Sequence, residues 1–176
     1  GPRKWKNIHT TFSADLEEMI DVDNATTGQR LVGLDIFKQA AEDINALILE
    51  AKQKKKKIRA LGSAWALTDI HLTDEWMINT KLLNEVFDLT DRNFTDAYPS
   101  EKRPFALLAQ CGVSIAELNV RLETESRGIK RSLRTAGIGA GQTVVGAIAG
   151  NTHGAAVNFG SMPDFVLGIQ LVNGTG

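Results

Sequence analysis

The sequence predicts a fold that mixes helices and strands on three observations. A long amphipathic stretch runs into a short apolar strand, a second helix is announced by a capping box behind another apolar run, and two glycine-bearing segments lie between apolar runs. The 176 residues, 43% hydrophobic and 23% charged with a net charge of -1, suffice for one sizeable core or two small lobes. That balance gives no basic character that would point to nucleic acid, and no run approaches the roughly 18 apolar residues needed to span a bilayer. Cys111 stands alone, which excludes an internal disulfide framework and leans toward a cytoplasmic setting. With no second cysteine and three scattered histidines there is no zinc spacing, so no metal is expected.

Taken in order, residues 1–30 are polar, with Trp5, Phe12, Leu16, Met19 and Ile20 as isolated apolar points, and read as an N-terminal arm. The opening Gly1-Pro2 reads as a remnant of tag removal, which leaves the native N-terminus and any targeting signal open. Arg30 to Gly33 reads as a short strand. Asp35 then caps a helix whose apolar positions, Ile36, Phe37, Ala40, Ala41, Ile44, Leu47, Ile48 and Ala51, recur at three and four. It ends in the run Lys52-Gln53-Lys54-Lys55-Lys56-Lys57, where cations oppose the negative end of the helix dipole; a solvated helix end explains the run better than a nucleic-acid or membrane patch. Ile58 to Leu61 reads as a buried strand that opens directly into the first glycine segment. Met77-Ile78-Asn79 reads as a strand and Leu82-Leu83-Asn84 as a turn before Val86-Phe87-Asp88-Leu89, and residues 90–104, carrying Asp91, Asp96, Tyr98, Pro99 and Pro104, read as an exposed loop. Phe105 to Cys111 suits a buried strand. Ser114 and Glu117 form the capping box, Val113 and Leu118 stand at the staple positions, and the helix should run to about Ser126, burying Ile115, Leu118 and Leu122 and leaving Arg121, Glu123 and Glu125 in water. Phe165 to Val172 reads as an apolar strand, and Asn173 to Gly176 as a hairpin turn.

The two glycine segments carry the functional reading. The first is Gly62-Ser63-Ala64-Trp65-Ala66-Leu67-Thr68-Asp69; the second runs from Gly139 to Gly154 and holds Gly139, Gly141, Gly146, Gly150 and Gly154. A backbone without Cβ can approach a phosphate closely, and successive N–H groups form an anion site without a charged side chain, so this density suggests backbone brought close to a ligand. A doubly wound dinucleotide fold would place a helix directly after the first glycine turn and an acidic ribose ligand about 20 residues on. Nothing helical is expected after Gly62, and Asn84-Glu85 is a poor candidate for that acid.

Element order and motifs together resemble the vanillyl-alcohol-oxidase family of flavoproteins, whose FAD-binding domain is called the p-cresol-methylhydroxylase (PCMH) type, and within it the sugar and aldonolactone oxidase branch. The family's strand into a G-S-G-H-S-W loop is matched by Gly62-Ser63-Ala64-Trp65-Ala66-Leu67, and its Q-T-x-x-G-A-I-A-T-G-T-H-G segment by Gln142 through Gly154; the likeness extends from about Leu31 to Gly176. It implies an α+β domain of two α/β lobes, 31–89 and 105–176 joined by 90–104, with FAD extended between them. The cofactor-binding residues it implies are Gly62, Ser63, Ala64, Trp65 and Ala66 in the first loop and Gln142, Thr143, Gly146, Ala147, Ala149, Gly150, Asn151, Thr152, His153 and Gly154 in the second. Ser63, Thr143, Asn151 and Thr152 can add side-chain hydrogen bonds, while Val144, Val145 and Ile148 are expected to face the core.

Two departures bear on attachment. Many members hold FAD covalently through the loop histidine, which is Trp65 here, and members with a second linkage have a cysteine near the position of Gly141. Non-covalent FAD is therefore expected. Cys111 reads as a small buried hydrophobe. His153 is expected near the cofactor, fixing loop geometry rather than transferring protons, and His9 and His71 read as surface residues. Trp65 is placed to lie against the ring system, Trp76 reads as packing, and Asp69 and Asp164 as turn and cap residues. No catalytic residue is identified. The resemblance implies a flavin-dependent oxidoreductase that takes a hydride from an alcohol, sugar or lactone-type substrate to flavin N5, its small-molecule substrate held by a further domain or partner chain. The chain is then a portion of that enzyme, whether an engineered segment, a proteolytic piece or one subunit. The alternative is a flavin-type fold kept as a non-catalytic cofactor-binding or interaction module, favoured by Ala64 and Trp65 alone.

Overall fold

The computed structural model describes residues 3–25, 31–124, 126 and 128–175. Its first departure from expectation is at the N-terminus, where the segment read as an arm forms three strands. β1 (Arg3–Lys6) and β2 (Ser13–Leu16) make an antiparallel hairpin with Trp5 opposite Ala14, and β3 (Glu18–Asp23) enters a parallel sheet. The short strand expected at Arg30 to Gly33 does not form at residues 31–33, and Arg30 lies outside the described residues. Gly33, in the left-handed region at φ 59°, precedes α1 (Leu34–Gln53), so Asp35 is not the cap; it sits in the first turn, where its carboxylate favours the helix dipole.

α1 packs its stripe on the sheet that follows. β4 (Ile58–Leu61) and β5 (Trp76–Leu82) complete a three-stranded parallel sheet in the order β3-β5-β4, with Trp76 opposite both Glu18 and Ile58. β5 is central and buried. β4 lies at the edge, and Arg59 and Ala60 face solvent, so it is not the fully buried strand its composition suggests. Ala40 of α1 packs with Val22, Ile78 and Leu83, and Ile44, Leu47, Ile58 and Cys111 close around them. The lysine run ends α1 as expected, and two of its members pair with acids: Lys54 with Glu50 at 2.6 Å and Lys56 with Glu17 at 2.5 Å.

β6 (Val86–Asp88) pairs antiparallel with β7 (Leu107–Ala109), and the segment between them holds two short 3-10 turns, Asp91–Asn93 and Ser100–Phe105. α2 (Ile115–Glu123) opens with the expected capping box: the Glu117 N–H donates to Ser114 Oγ, and the Glu117 carboxylate accepts from the Ser114 N–H. Val113 and Leu118 are both buried at the staple positions. The helix stops three residues short of Ser126, at Glu123, and Glu125 lies outside the described residues. A third helix, α3 (Val144–Ala149), lies inside the second glycine segment, where none was expected. Val113, Ile115, Leu118, Leu122, Val144, Ala147 and Met162 form one buried cluster, with Val86 and Leu107 packed on it. Phe165 to Val172 does not form the expected strand. Its first residue closes a 3-10 turn, Met162–Phe165, and Leu167, Ile169 and Leu171 are exposed.

Candidate functional site

The two glycine segments, far apart in sequence, touch in space. β4 delivers Gly62 against the start of the second segment, so closely that a Cβ on Gly62 would stand 2.6 Å from Thr143 Oγ1. Thr143 is buried and caps α3, its hydroxyl accepting from the Gly146 N–H at 3.2 Å and its carbonyl from the Ala147 N–H at 2.8 Å. Trp65 makes the second junction. Its indole covers Gly139 and Gly141, where a Cβ would meet Cζ3 at 2.8 Å and Cζ2 at 3.0 Å.

These contacts revise the argument from glycine density. At Gly62, Gly139 and Gly141 the group that requires a missing Cβ is a side chain of the protein itself, not a ligand. At Gly154 a Cβ would crowd Thr135, whose hydroxyl accepts from the Gly154 N–H at 2.9 Å. Gly146 and Gly150 are different: both are exposed, and the atoms nearest a Cβ there belong to their own helical turn. No helix follows Gly62, as expected, and Ala64 takes a left-handed backbone, φ 57°, in a position where glycine is the residue of least strain.

The remaining positions fall into two groups. Ser63, Ala64, Trp65 and Ala66 are half-buried in the first loop. On the second segment Ala147 is buried in the core, Thr152 is half-buried and its carbonyl accepts from the Met162 N–H, and Ala149, Asn151 and His153 are exposed. Asn151 is also left-handed at φ 52°. His153 Nδ1 lies 3.1 Å from the Gly154 carbonyl oxygen. Of the apolar positions assigned to the core, Val144 is buried and Ile148 packs on the cluster, but Val145 is 47% exposed. Gln142 Oε1 is buried and accepts no hydrogen bond.

Several residues around the site left no signal in the sequence. The turn between β1 and β2 sits on the first loop. The Ile8 N–H donates to the Ala64 carbonyl at 3.2 Å, Asn7 Nδ2 donates to the Ala66 carbonyl at 3.3 Å, and the His9 ring stands edge-on to Trp65 with centroids 5.7 Å apart. Thr135 reaches the second segment from a stretch without regular structure. His71 is buried, not a surface residue; its ring meets Trp5 edge-on at 5.1 Å, and burial holds its pKa below the ordinary value against the pull of Asp69. Cys111 is partly buried and its thiol is pushed up by desolvation, which fits an inert packing role.

Residues 36–176, well over half of the chain, match a family described as the FAD binding domain. The chain is 27% identical over 139 residues to D-arabinono-1,4-lactone oxidase of Candida albicans, covering 77% of this chain and 24% of that protein. It is 23% identical over 139 residues to L-gulonolactone oxidase of Bos taurus, covering 78% and 28%. Among solved structures it is similar to cholesterol oxidase from B. sterolicum (TM-score 0.56, 15% identity, 89% of this chain and 25% of that one) and to a solvent-stable cholesterol oxidase (TM-score 0.58, 19% identity, the same coverage), which shows the fold. The chain spans about a quarter of the length of these relatives. Among the described residues no helix is long and apolar enough to cross a membrane.

Proposed function

From the premise that this chain belongs to the FAD binding domain family, we propose that it is the cofactor-holding portion of a flavin-dependent oxidoreductase acting on an alcohol, sugar or lactone-type carbon, and that it holds FAD without a covalent bond. The observation that carries the reading is the junction of Gly62 with Thr143 and of Trp65 with Gly139 and Gly141, which joins both candidate loops into one surface. A dinucleotide lying across them would find the backbone of the first loop, the exposed Cβ-free surfaces of Gly146 and Gly150, whose own N–H groups are already bonded to Thr143 and to the Gly146 carbonyl, and the side chains of Ser63, Asn151 and Thr152. These residues are neutral, so hydrogen bonds from the first loop's backbone and from those side chains would meet the phosphates without a cation that alters the flavin potential.

When bound, the flavin would supply the two-electron acceptor for the substrate's hydride. The residues of this chain would do the holding. Trp65 would fix the first loop against the second, Thr143 would fix the start of α3, and the left-handed backbone at Ala64 and Asn151 would set the direction of the neighbouring amides. The oxidase names of the relatives support an enzyme over an interaction module. The substrate pocket belongs, in this reading, to a further domain or partner chain. Trp65 in place of a linking histidine supports dissociable FAD. Acid precipitation of the yellow protein tests it: flavin released to the supernatant is expected, and colour retained in the pellet would overturn non-covalent attachment.

A further inference from the structure

The first loop has no helix after it to hold its shape, and at Ala64 it adopts a backbone that disfavours a residue with a Cβ, so its conformation must be imposed by something packed against it. The turn between β1 and β2, residues 7–12, is in place to do so. Asn7 is 2% exposed, and its amide is fully engaged: Oδ1 accepts from the Phe12 N–H at 3.0 Å, and Nδ2 donates to Thr11 Oγ1 at 2.9 Å and to the Ala66 carbonyl at 3.3 Å. The same side chain therefore shapes the turn and grips the loop. One residue on, the Ile8 N–H holds the Ala64 carbonyl, and the His9 ring abuts Trp65. Beneath them Leu16, Leu61 and Met77 form a buried cluster onto which Trp5 and Ala64 pack, so turn and loop share one floor.

We propose that the β1–β2 turn is the positioning element of the cofactor loop, and that Asn7 is the residue that sets it. This rests on the reading of Gly62–Ala66 as part of the FAD cradle. An apolar residue of similar volume would fill the space under the turn as well. A buried carboxamide directed at the Ala66 carbonyl instead fixes where the loop's backbone points, which is what a site built from backbone amides requires.

The test compares the wild-type protein with Asn7→Ala and Asn7→Asp. The aspartate is nearly isosteric, keeps an acceptor for the Phe12 N–H and can accept from the Thr11 hydroxyl, but offers no N–H to the Ala66 carbonyl; it carries the test if the alanine variant does not fold. FAD affinity is read by flavin fluorescence titration, the bound flavin's environment by visible circular dichroism at saturation, and folding by thermal unfolding of the FAD-free protein. The expected result is FAD binding by wild type, a loss of affinity on the order of tenfold in the variants, as for one or two net hydrogen bonds, and an altered visible signal at saturation. Wild-type affinity and an unchanged visible signal in folded Asn7→Asp would overturn the positioning role alone, since a merely structural Asn7 would move only the melting temperature. Failure of wild type to bind FAD would overturn the cradle, and the positioning role with it.

Discussion

At the scale of single residues, Trp65 decides how the glycines are understood. Glycine density in the sequence suggests a ligand pressed against backbone, whereas Gly139 and Gly141 are small because an indole lies on them. The sequence shows both partners but not their meeting, since 74 residues separate Trp65 from Gly139 and no local rule pairs them. Gly139→Ala should lower stability by about 1–3 kcal/mol, the usual cost of overpacking, measured by denaturant unfolding. In a Trp65→Ala background most of that cost should disappear; an equal cost in both backgrounds would mean that the indole is not the reason for glycine there. Asp88 is a second case of a role hidden by distance. It accepts from Arg131 Nη2 at 2.7 Å and Ser126 Oγ at 2.8 Å and also pairs with Arg121, while the Arg131 side chain is only 3% exposed. Burial pushes its carboxyl pKa upward, but the hydrogen bonds from Ser126 and Arg131 and the two guanidinium charges outweigh this and hold it below the ordinary carboxylate value. Its contribution to stability is therefore complete above about pH 4 and is lost as the pH falls through the lowered pKa. Asp88→Asn should cost about 3 kcal/mol at neutral pH, because it strands a buried guanidinium, and should flatten the acid limb of a melting-temperature profile.

At the scale of elements, what is legible depends on whether the signal is local. α2 has its cap, box and staple within six residues, and all form as the sequence predicts. Ser114→Ala should cost about 1 kcal/mol in thermal or denaturant unfolding, and no measurable loss would mean that packing of Leu118 and Leu122 alone fixes the helix start. The extents of α1 and β4 are legible too, from periodicity and a lysine-rich end for the helix and an apolar run for the strand, but the glycine cap of α1 and the exposure of β4 are not. α3 is hidden by Gly146 and Gly150, which dilute helix propensity; the usable signal was Thr143 as cap before a short apolar run. The N-terminal strands are hidden for another reason. Their residues are largely polar and half-exposed, and β3 finds its ladder partner in β5, so pairing rather than composition makes it a strand.

At the scale of the whole molecule, the described residues gather around three apolar clusters: one under α1, one shared by the hairpin, β4 and β5, and one joining β6, β7, α2 and α3. The candidate site lies where the loop after β4 meets the cap of α3, between structures built on different clusters. Its motifs were legible in Gly62–Ala66 and Gln142–Gly154, but the brace from the β1–β2 turn was not, because hydrogen bonds such as Ile8 to Ala64 connect residues with no shared pattern. The apolar run Phe165 to Val172 has strand composition, yet among the described residues it forms no ladder, which shows that a pattern alone does not make a strand. In the proposed function these two loops hold FAD across their junction, and a crystal structure of the protein with FAD would decide it. The pyrophosphate is expected against the backbone of Gly62–Ala66 and Gln142–Gly154, with no bond from the flavin to the protein. FAD bound elsewhere, or joined covalently to a side chain of this chain, would contradict it.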